Sequence, residues 1–228
     1  DQMVVGYNKR YNWKTAFASP ENVPTFLHAH KLMRKTWEGM PSKEDIGGEK
    51  WNKTADHCNA NYFHIDMERY SLEAVLKKGA ELVKRKGIKC LVIDPFNKVR
   101  DIDAASDDVN RYTMDYLMKI EIFAKKYDVL VFVVAHPTKM YKNQKTGEID
   151  EPTMYSIKGG GEWYDASYHG LLVHRDYEAN TVKVKVLKCK FQNLGVNGAE
   201  THFTWEKNSG CYIPLNKPDE APMPWENG

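Results

Sequence analysis

Two uninterrupted apolar runs in the chain each end in a polar side chain. Residues 87–93 include Cys90-Leu91-Val92-Ile93 and lead into Asp94, whereas residues 129–135 lead into His136. Continuous apolar runs of this length predict strands that are covered on both faces of a sheet. Residues 107–127 between them have apolar positions at helical spacing, with Ser106 or Asp107 available as N-cap. Strand, helix and strand in this order predict a parallel crossover.

The preceding part of the chain alternates in the same way between helical and strand patterns. Helices are predicted to Tyr11, over about 24–35 and over 72–86, and short strands over 14–19 and 62–65. Gly87 suits the end of the third helix. In the helix at 24–35 the expected packed face carries Phe26, Leu27, His30 and Met33. Residues 37–57 mix charged, glycine and aromatic residues, and we expect an irregular surface excursion there.

The last third of the chain reads as a long polar loop followed by strands. Residues 139–158 form a long polar stretch rich in Lys, Gly, Asp and Glu, and a loop of that length is usually functional or disordered. The three glycines at 159–161 allow a ligand to approach the backbone, or form a hinge. Strands are predicted at 170–174, as a core strand, at 182–188, with alternating faces, and at 201–205. Residues 214–228 are rich in proline and acid and are expected to be disordered.

Chain length and net charge limit the classes of protein that this sequence can belong to. A chain of 228 residues can bury one sizeable α/β core, and its net charge of +2 indicates no general affinity for nucleic acid. The four cysteines lack CxxC pairing, and Cys90 and Cys189 fall inside predicted strands, which predicts reduced thiols in a cytoplasmic protein. Cys58 with His57 and His64 could form half a zinc site, but no second ligand pair has suitable spacing. No apolar run reaches membrane length, so we expect no membrane partner.

Three polar side chains are predicted at the carboxyl ends of strands. Glu21 follows the strand at 14–19, Asp94 follows the strand at 87–93, and His136 follows the strand at 129–135. Ligands of open α/β sheets bind outside these strand ends, and a carboxylate there can anchor Mg²⁺ on a nucleotide. The alternative is that Asp94 only caps a turn.

Taken together, the motifs resemble a known family. Residues 18–22 (ASPEN), 91–97 (LVIDPFN) and 133–139 (VVAHPTK) occur in that order, and Lys188-Cys189-Lys190-Phe191 follows. This pattern resembles the C-terminal motor domain of DnaB-family replicative helicases, in the phage primase-helicase and Twinkle branch. The resemblance covers about residues 1–213. It implies a RecA-like fold: a twisted, mainly parallel sheet with helices on both faces and antiparallel strands near the C-terminus.

The resemblance also implies roles for individual residues. Asp94 would hold Mg²⁺ through water, Glu21 would activate the attacking water, and His136 would sense the γ-phosphate of ATP. Lys188 and Lys190 would reach the nucleotide of a neighbouring subunit. The expected contacts to single-stranded DNA are Asn97, Lys98, Lys139, Lys142, Lys145, Lys158, Gly159 and Gly160.

The implied assembly is a homo-oligomer, a hexameric ring, that carries a primase or other N-terminal domain in a bacterial or phage-encoded protein. Its activity would be ATP-driven 5′-to-3′ translocation on DNA during replication. The alternatives are another RecA-type ATPase, such as a recombinase-like filament former, or a non-catalytic DNA-binding or assembly module.

The sequence departs from the family pattern at two points. No G-x-x-x-x-G-K-[ST] motif occurs in the 228 residues, and we expect the P-loop to precede Asp1. Lys190 stands where the family has arginine, and lysine offers a point charge without the bidentate fork of a guanidinium group.

Overall fold

The computed structural model describes residues 1–37, 39–100, 109–139 and 150–215. The chain divides into two units, Asp1–Ser167 and Tyr168–Gly228. The helices of the first unit are α1 (Gln2–Tyr11), α2 (Thr25–Trp37), α3 (Glu49–Asn61), α4 (Leu72–Lys86), α5 (Val109–Tyr127) and α6 (Gly160–Ala166). Its strands are β1 (Lys14–Ala18), β2 (Tyr62–His64), β3 (Ile88–Ile93) and β4 (Leu130–Val133). The second unit contains β5 (His169–Asp176), β6 (Thr181–Cys189), β7 (Glu200–Glu206) and β8 (Cys211–Pro214).

Several of the sequence predictions concern residues outside the described ranges. The N-cap candidates of α5, Ser106 and Asp107, are among them. So is nearly all of the tail that was expected to be disordered, from residue 216 onward.

The sheet of the first unit is parallel, with strand order β2-β1-β3-β4. The chain moves from β1 outward to β2 and then returns past β1 to form β3 on its other side. The strand order therefore reverses between β1 and β3, which makes the gap beyond their carboxyl ends the topological switch point.

Helices cover both faces of this sheet. On one face, Phe17, Val92 and Phe132 are aligned by the strand register, and residues from α1, α2 and α3 pack on them, namely Val4, Val5, Leu32, Met33 and Cys58. On the other face, a Cβ at Gly79 of α4 would lie 3.1 Å from Phe123 of α5 and 3.4 Å from Leu91 of β3. Continuous apolar strands are needed here because both faces are buried.

The ends of α4 follow the sequence prediction. The Ser71 hydroxyl accepts a hydrogen bond from the Ala74 amide at 3.2 Å, and Gly87 ends the helix with φ 69°. That left-handed conformation suits glycine, and basic residues in the last turn favour the helix dipole. None of the described helices is both long and apolar enough to cross a membrane.

Four sequence predictions about local structure were wrong. Residues 49–61 form α3 rather than an irregular excursion, because Trp51, Ala55 and Cys58 supply an apolar stripe at helical spacing. In α2, His28, Leu32 and Met33 are buried, whereas Phe26 and Leu27 are exposed. β4 is only half-buried, since it lies at the edge of the described sheet, and β5 is largely exposed rather than a core strand.

The second unit is an antiparallel sheet in the order β5-β6-β7-β8. Lys183 and Lys185 of β6 share a face, since both ammonium groups lie 4.0 Å from Glu200 of β7. The pairing of β5 with β6 shifts register between Gly170 and Leu171, which leaves one residue of β6 unpaired.

The packed face of α2 can be tested with a matched pair of leucines. Leu32 is 1% exposed and Leu27 is 49% exposed. We expect Leu32→Ala to lower the free energy of unfolding by about 2–4 kcal/mol, because it leaves a cavity against the sheet. Leu27→Ala should cost less than about 1 kcal/mol. Urea unfolding measures both changes, and a larger loss for Leu27→Ala would contradict the packing of this helix.

Candidate functional site

The carboxylate of Asp94 lies at the switch point and is held by the turn that follows β1. The Ser19 hydroxyl is 3.1 Å from the Asp94 carbonyl oxygen and 3.4 Å from Oδ2. The side-chain nitrogen of Asn22 (Nδ2) is 2.7 Å from the Ser19 hydroxyl and 3.5 Å from Asp94 Oδ2. The Asp94 amide donates to the Ala18 carbonyl at 3.0 Å, which extends the β1–β3 ladder to the carboxylate itself. The position of Asp94 thus depends on both strands.

Glu21 lies inside the same turn. Residues 19–22 form a turn closed by the Asn22 backbone amide, which donates to the Ser19 carbonyl at 3.0 Å. Glu21 sits between two residues that contact Asp94, and its side chain is exposed. The structure therefore brings Glu21 and Asp94 to adjoining segments of one edge of the sheet.

A hydrogen-bonded pair of imidazoles, the buried His28 and the half-buried His64, flanks this edge. His28 Nε2 lies 2.9 Å from Asp1 Oδ1, and His28 Nδ1 lies 2.9 Å from His64 Nε2. Phe17 packs against both rings. Burial, followed by nearby positive charge, lowers the pKa of His28 to about 4. Burial and the neighbouring His28 also lower the pKa of His64. His28 is buried and His30 is exposed, whereas the predicted packed face of α2 included His30 and not His28.

The start of α1 also faces the edge that bears Asp94. The Asp1 side chain, at the start of this helix, lies 2.9 Å from His28, and the Asp94 carboxylate is close enough to act on the pKa of that histidine. Lys31 donates to the Asn22 side-chain oxygen at 3.0 Å, which places a positive charge on the 19–22 turn. Cations and a helix N-terminus near a carboxylate form an environment that can accept both a metal ion and phosphate groups.

His136 follows β4 after a short extension of the ladder. The Val134 amide donates to the Ile93 carbonyl at 2.9 Å, and the Phe96 amide donates to the Val134 carbonyl at 2.8 Å. These hydrogen bonds hold the residues that follow β4 beside the segment that follows Asp94. His136 itself is exposed, two residues beyond Val134.

The long loop after His136 is closed at its base. Pro137 forms an antiparallel bridge with Ile157, and the Thr138 amide donates to the Ser156 carbonyl at 2.7 Å. Lys139 at the start of the loop is exposed, while Lys142 and Lys145 lie outside the described residues. The predicted loop at 139–158 therefore begins and ends at neighbouring points.

The glycines after this loop have close neighbours within the protein. Gly159 has φ 81°, and a Cβ there would lie 2.5 Å from the Thr113 hydroxyl oxygen. A Cβ at Gly160 would meet the Tyr155 carbonyl, whereas Gly161 has no neighbour within 4 Å. Packing against Thr113 and Tyr155 is thus sufficient to explain the first two glycines. Lys158 immediately before them is exposed.

The remaining predicted residues lie at two other places. Asn97 and Lys98 are exposed in a short 3₁₀ turn after Asp94. Lys188 and Lys190 belong to the second unit. A regular alternating strand would place both ammonium groups on one face, but β6 has a register shift and ends at Cys189. Lys190 Nζ lies 4.0 Å from the centre of the Tyr168 ring, so alternation alone does not determine its direction.

The donor set at Asp94 suits a hard cation. Mg²⁺ prefers oxygen ligands and keeps several waters, and it is usually bound by one or two carboxylates together with substrate phosphates. Asp94 offers such a carboxylate. Among the described residues no group of three or more His, Cys, Asp and Glu side chains could hold a metal, so water and phosphate would complete the coordination of an ion at Asp94.

Sequence reasoning missed several residues of this site. Ser19, Asn22 and Lys31 were not identified, although the first two flank Glu21. The polar residues that surround a candidate acid at a strand end were the available signal. The contacts of Trp163 join distant segments, and no local pattern predicts them.

Comparisons with known proteins agree with this architecture. The chain is 27% identical over 233 residues to a Twinkle homolog protein, chloroplastic/mitochondrial, from Arabidopsis thaliana, and the match covers 93% of this chain and 31% of that protein. The chain thus spans about a third of the length of that relative. No protein-family model matches the chain.

Solved structures share the fold. One of them, an ATPase domain, has a TM-score of 0.68 at 15% identity, over 90% of this chain and 75% of that one. A DnaB-like replicative helicase, whose structure was described with its interactions with primase, has a TM-score of 0.67 at 16% identity, over 90% of this chain and 51% of that one. The RecA-like fold expected from the sequence is confirmed.

The contacts of these glycines can be tested by substitution with alanine. Gly159→Ala should lower the free energy of unfolding by about 1–3 kcal/mol, because alanine disfavours positive φ and its Cβ would clash with Thr113. Gly161→Ala is the control: it has open space inside α6 and should be neutral or stabilising by up to about 1 kcal/mol. Thermal or urea unfolding distinguishes the two. Equal effects would show that packing does not select glycine at position 159.

The pKa of His28 predicts a pH dependence of stability. In the unfolded chain the pKa is about 6.5, so between that value and about 4 the unfolded state binds the extra proton. Stability is therefore fully present above about pH 6.5 and falls as the pH drops. From pH 7.5 to 5 the loss from His28 should be about 2 kcal/mol.

The measurement is urea unfolding at pH 7.5 and pH 5. His28→Gln should reduce the difference between the two pH values, whereas His30→Gln, an exposed histidine of the same helix, should preserve it. Identical pH dependence in the two variants would refute the assignment to His28.

Proposed function

We propose that this chain, which is homologous over most of its length to DnaB-like and Twinkle helicase ATPase domains, is the motor domain of an ATP-dependent DNA helicase. Its reaction would be hydrolysis of ATP with Mg²⁺, coupled to 5′-to-3′ movement along single-stranded DNA in replication. The observation that carries this proposal is the Asp94 carboxylate at the switch point, held by the turn that contains Glu21.

In the proposed site, Asp94 would hold Mg²⁺ through water, and the ion would supply the positive charge that neutralises the phosphates of ATP. Phosphoryl transfer depends mainly on positioning and on stabilisation of charge. Glu21 is the base that orients the attacking water, since its exposed carboxylate lies in the turn beside Asp94. The N-terminus of α1, which lies near Asp94, would support phosphate binding at the same edge.

The nucleotide proposal includes a P-loop that precedes Asp1. The described α1 begins beside Asp94, and a P-loop leads directly into the N-terminus of a helix. The amides of that loop, its lysine and its hydroxyl would supply the phosphate contacts that no motif in these 228 residues provides.

The proposed DNA contacts surround the strand exits. His136 would sense the γ-phosphate, because the exit of β4 is hydrogen-bonded to the segment after Asp94. Lys139 and Lys158 stand at the two ends of the closed loop, with Lys142 and Lys145 between them. Asn97, Lys98 and the backbone of Gly159 and Gly160 would complete the DNA-binding surface.

The proposed assembly is a hexameric ring. In it, Lys188 and Lys190 would approach the nucleotide of the next subunit. The lysine at 190 would stabilise charge without the bidentate contact of an arginine, so we expect a weaker contribution than that of an arginine finger. A primase or another domain at the N-terminal side is part of this proposal, since the structure of a DnaB-like relative describes interactions with primase.

The two acids can be tested separately in the full-length protein. Glu21→Gln should keep nucleotide binding and lose about 10²–10⁴-fold in ATP turnover, the usual range for a positioned base. Asp94→Asn should weaken Mg²⁺-dependent nucleotide binding as well. Titration with a fluorescent ATP analogue and steady-state turnover, each with and without Mg²⁺, separate these effects.

Glu68→Gln is the control, because Glu68 is an exposed carboxylate outside the site. It should preserve both binding and turnover. If wild-type protein binds single-stranded DNA but neither binds nor hydrolyses ATP, the chain is a non-catalytic DNA-binding module instead. DNA-bound filaments in electron micrographs, in place of rings, would favour a recombinase-like ATPase.

A further inference from the structure

The segment after Asp94 packs on an aromatic cluster that reaches α6. Phe96, two residues beyond Asp94, meets Trp163 edge to face, with ring centres 4.9 Å apart and planes at 87°. Its ring meets Tyr116 of α5 in the same way at 4.8 Å. Edge-to-face geometry is the favoured arrangement of aromatic pairs and restricts the orientation of each ring. A movement of the 94–98 segment would therefore have to move or repack Trp163.

Trp163 is attached in turn to the residue before the glycines. Its indole Nε1–H donates to the Lys158 carbonyl at 3.1 Å, and the side chain is 4% exposed. The next residue, Gly159, lies against Thr113 of α5 with no room for a Cβ. The 158–161 segment thus has a fixed relation to the indole ring.

We infer that Phe96 and Trp163 are positioning residues that transmit the state of the Asp94 crevice to the 158–161 segment. The inference rests on the proposed function, in which Asp94 binds Mg-nucleotide and this segment contacts DNA. A shift of the turn after Asp94 on nucleotide binding moves Phe96 against Trp163, and the indole carries the Lys158 carbonyl with it. Neither residue touches the reacting atoms.

A second connection joins the same two regions. The Thr138 amide and hydroxyl both donate to the Ser156 carbonyl, two residues before Lys158, and Thr138 follows His136. The two connections start from different strands, β3 and β4, and end two residues apart, at Ser156 and Lys158. Because the second remains when the first is weakened, we expect removal of the indole bond to reduce coupling without abolishing it.

The coupling is measured as a ratio of affinities in the full-length protein. Fluorescence anisotropy gives the Kd for a labelled oligodeoxythymidylate at fixed salt, without nucleotide and with Mg²⁺ and a non-hydrolysable ATP analogue. The ratio of these two Kd values measures the coupling between the sites. By linkage, DNA must change the Kd for the ATP analogue by the same factor. A purely structural role would change stability without changing this ratio.

Trp163→Phe keeps an aromatic ring against Phe96 and removes the Nε1–H donor. It should bring the coupling ratio closer to one by about threefold to tenfold, the usual equilibrium effect of one hydrogen bond. Nucleotide affinity in the absence of DNA should remain within about twofold. Trp51→Phe makes the same chemical change in α3, outside this contact, and should leave the ratio at the wild-type value.

Phe96→Leu tests the contact from its other side and should also bring the coupling ratio closer to one. The double variant should be no worse than the more severe single variant, because both interrupt one contact. A wild-type ratio in Trp163→Phe, or independent losses that multiply in the double variant, would overturn the positioning role alone. If the ATP analogue does not change the Kd of the wild-type protein for DNA, the proposed function and this inference are both overturned.

Discussion

The alignment of β1 with β3 determines the position of everything else at the candidate site. The Asp94 amide extends the ladder between these strands, and the 19–22 turn returns Ser19 and Asn22 to the Asp94 carboxylate. Since the strand order reverses at this point, no helix connects directly across the gap and a ligand can enter. A change in the β1–β3 register would separate Glu21 from Asp94 and remove the site.

The segments beyond β3 and β4 extend this constraint away from the sheet. Phe96 bonds to Val134 through its backbone and packs on Trp163 through its ring. The loop after His136 closes on Ser156, close to the glycines. Three segments distant in sequence are therefore attached to one another beside the crevice. That arrangement gives the proposed motor a physical connection between its nucleotide and DNA sites.

The sequence was most informative where local signals suffice. Gly87 predicted the end of α4, and apolar runs predicted β3 and β4 with the polar residues that follow them. The packed face of α2 was misjudged because Phe26 and Leu27 are apolar but exposed, whereas the buried His28 is polar. Its partners, Asp1 and His64, come from distant elements. Likewise, the register shift in β6 arises from pairing with β5, which alternation within one strand cannot reveal.

The switch point beside Asp94 is the proposed site of Mg-nucleotide, and every functional role assigned to this chain depends on it. The most direct test is an experimental structure of the full-length protein with Mg²⁺ and a non-hydrolysable ATP analogue. We expect the ion beside the Asp94 carboxylate, held through water, and the terminal phosphate facing Glu21. Nucleotide bound elsewhere, for example in the depression lined by Lys9, Lys50, Lys53 and His57, would contradict this assignment.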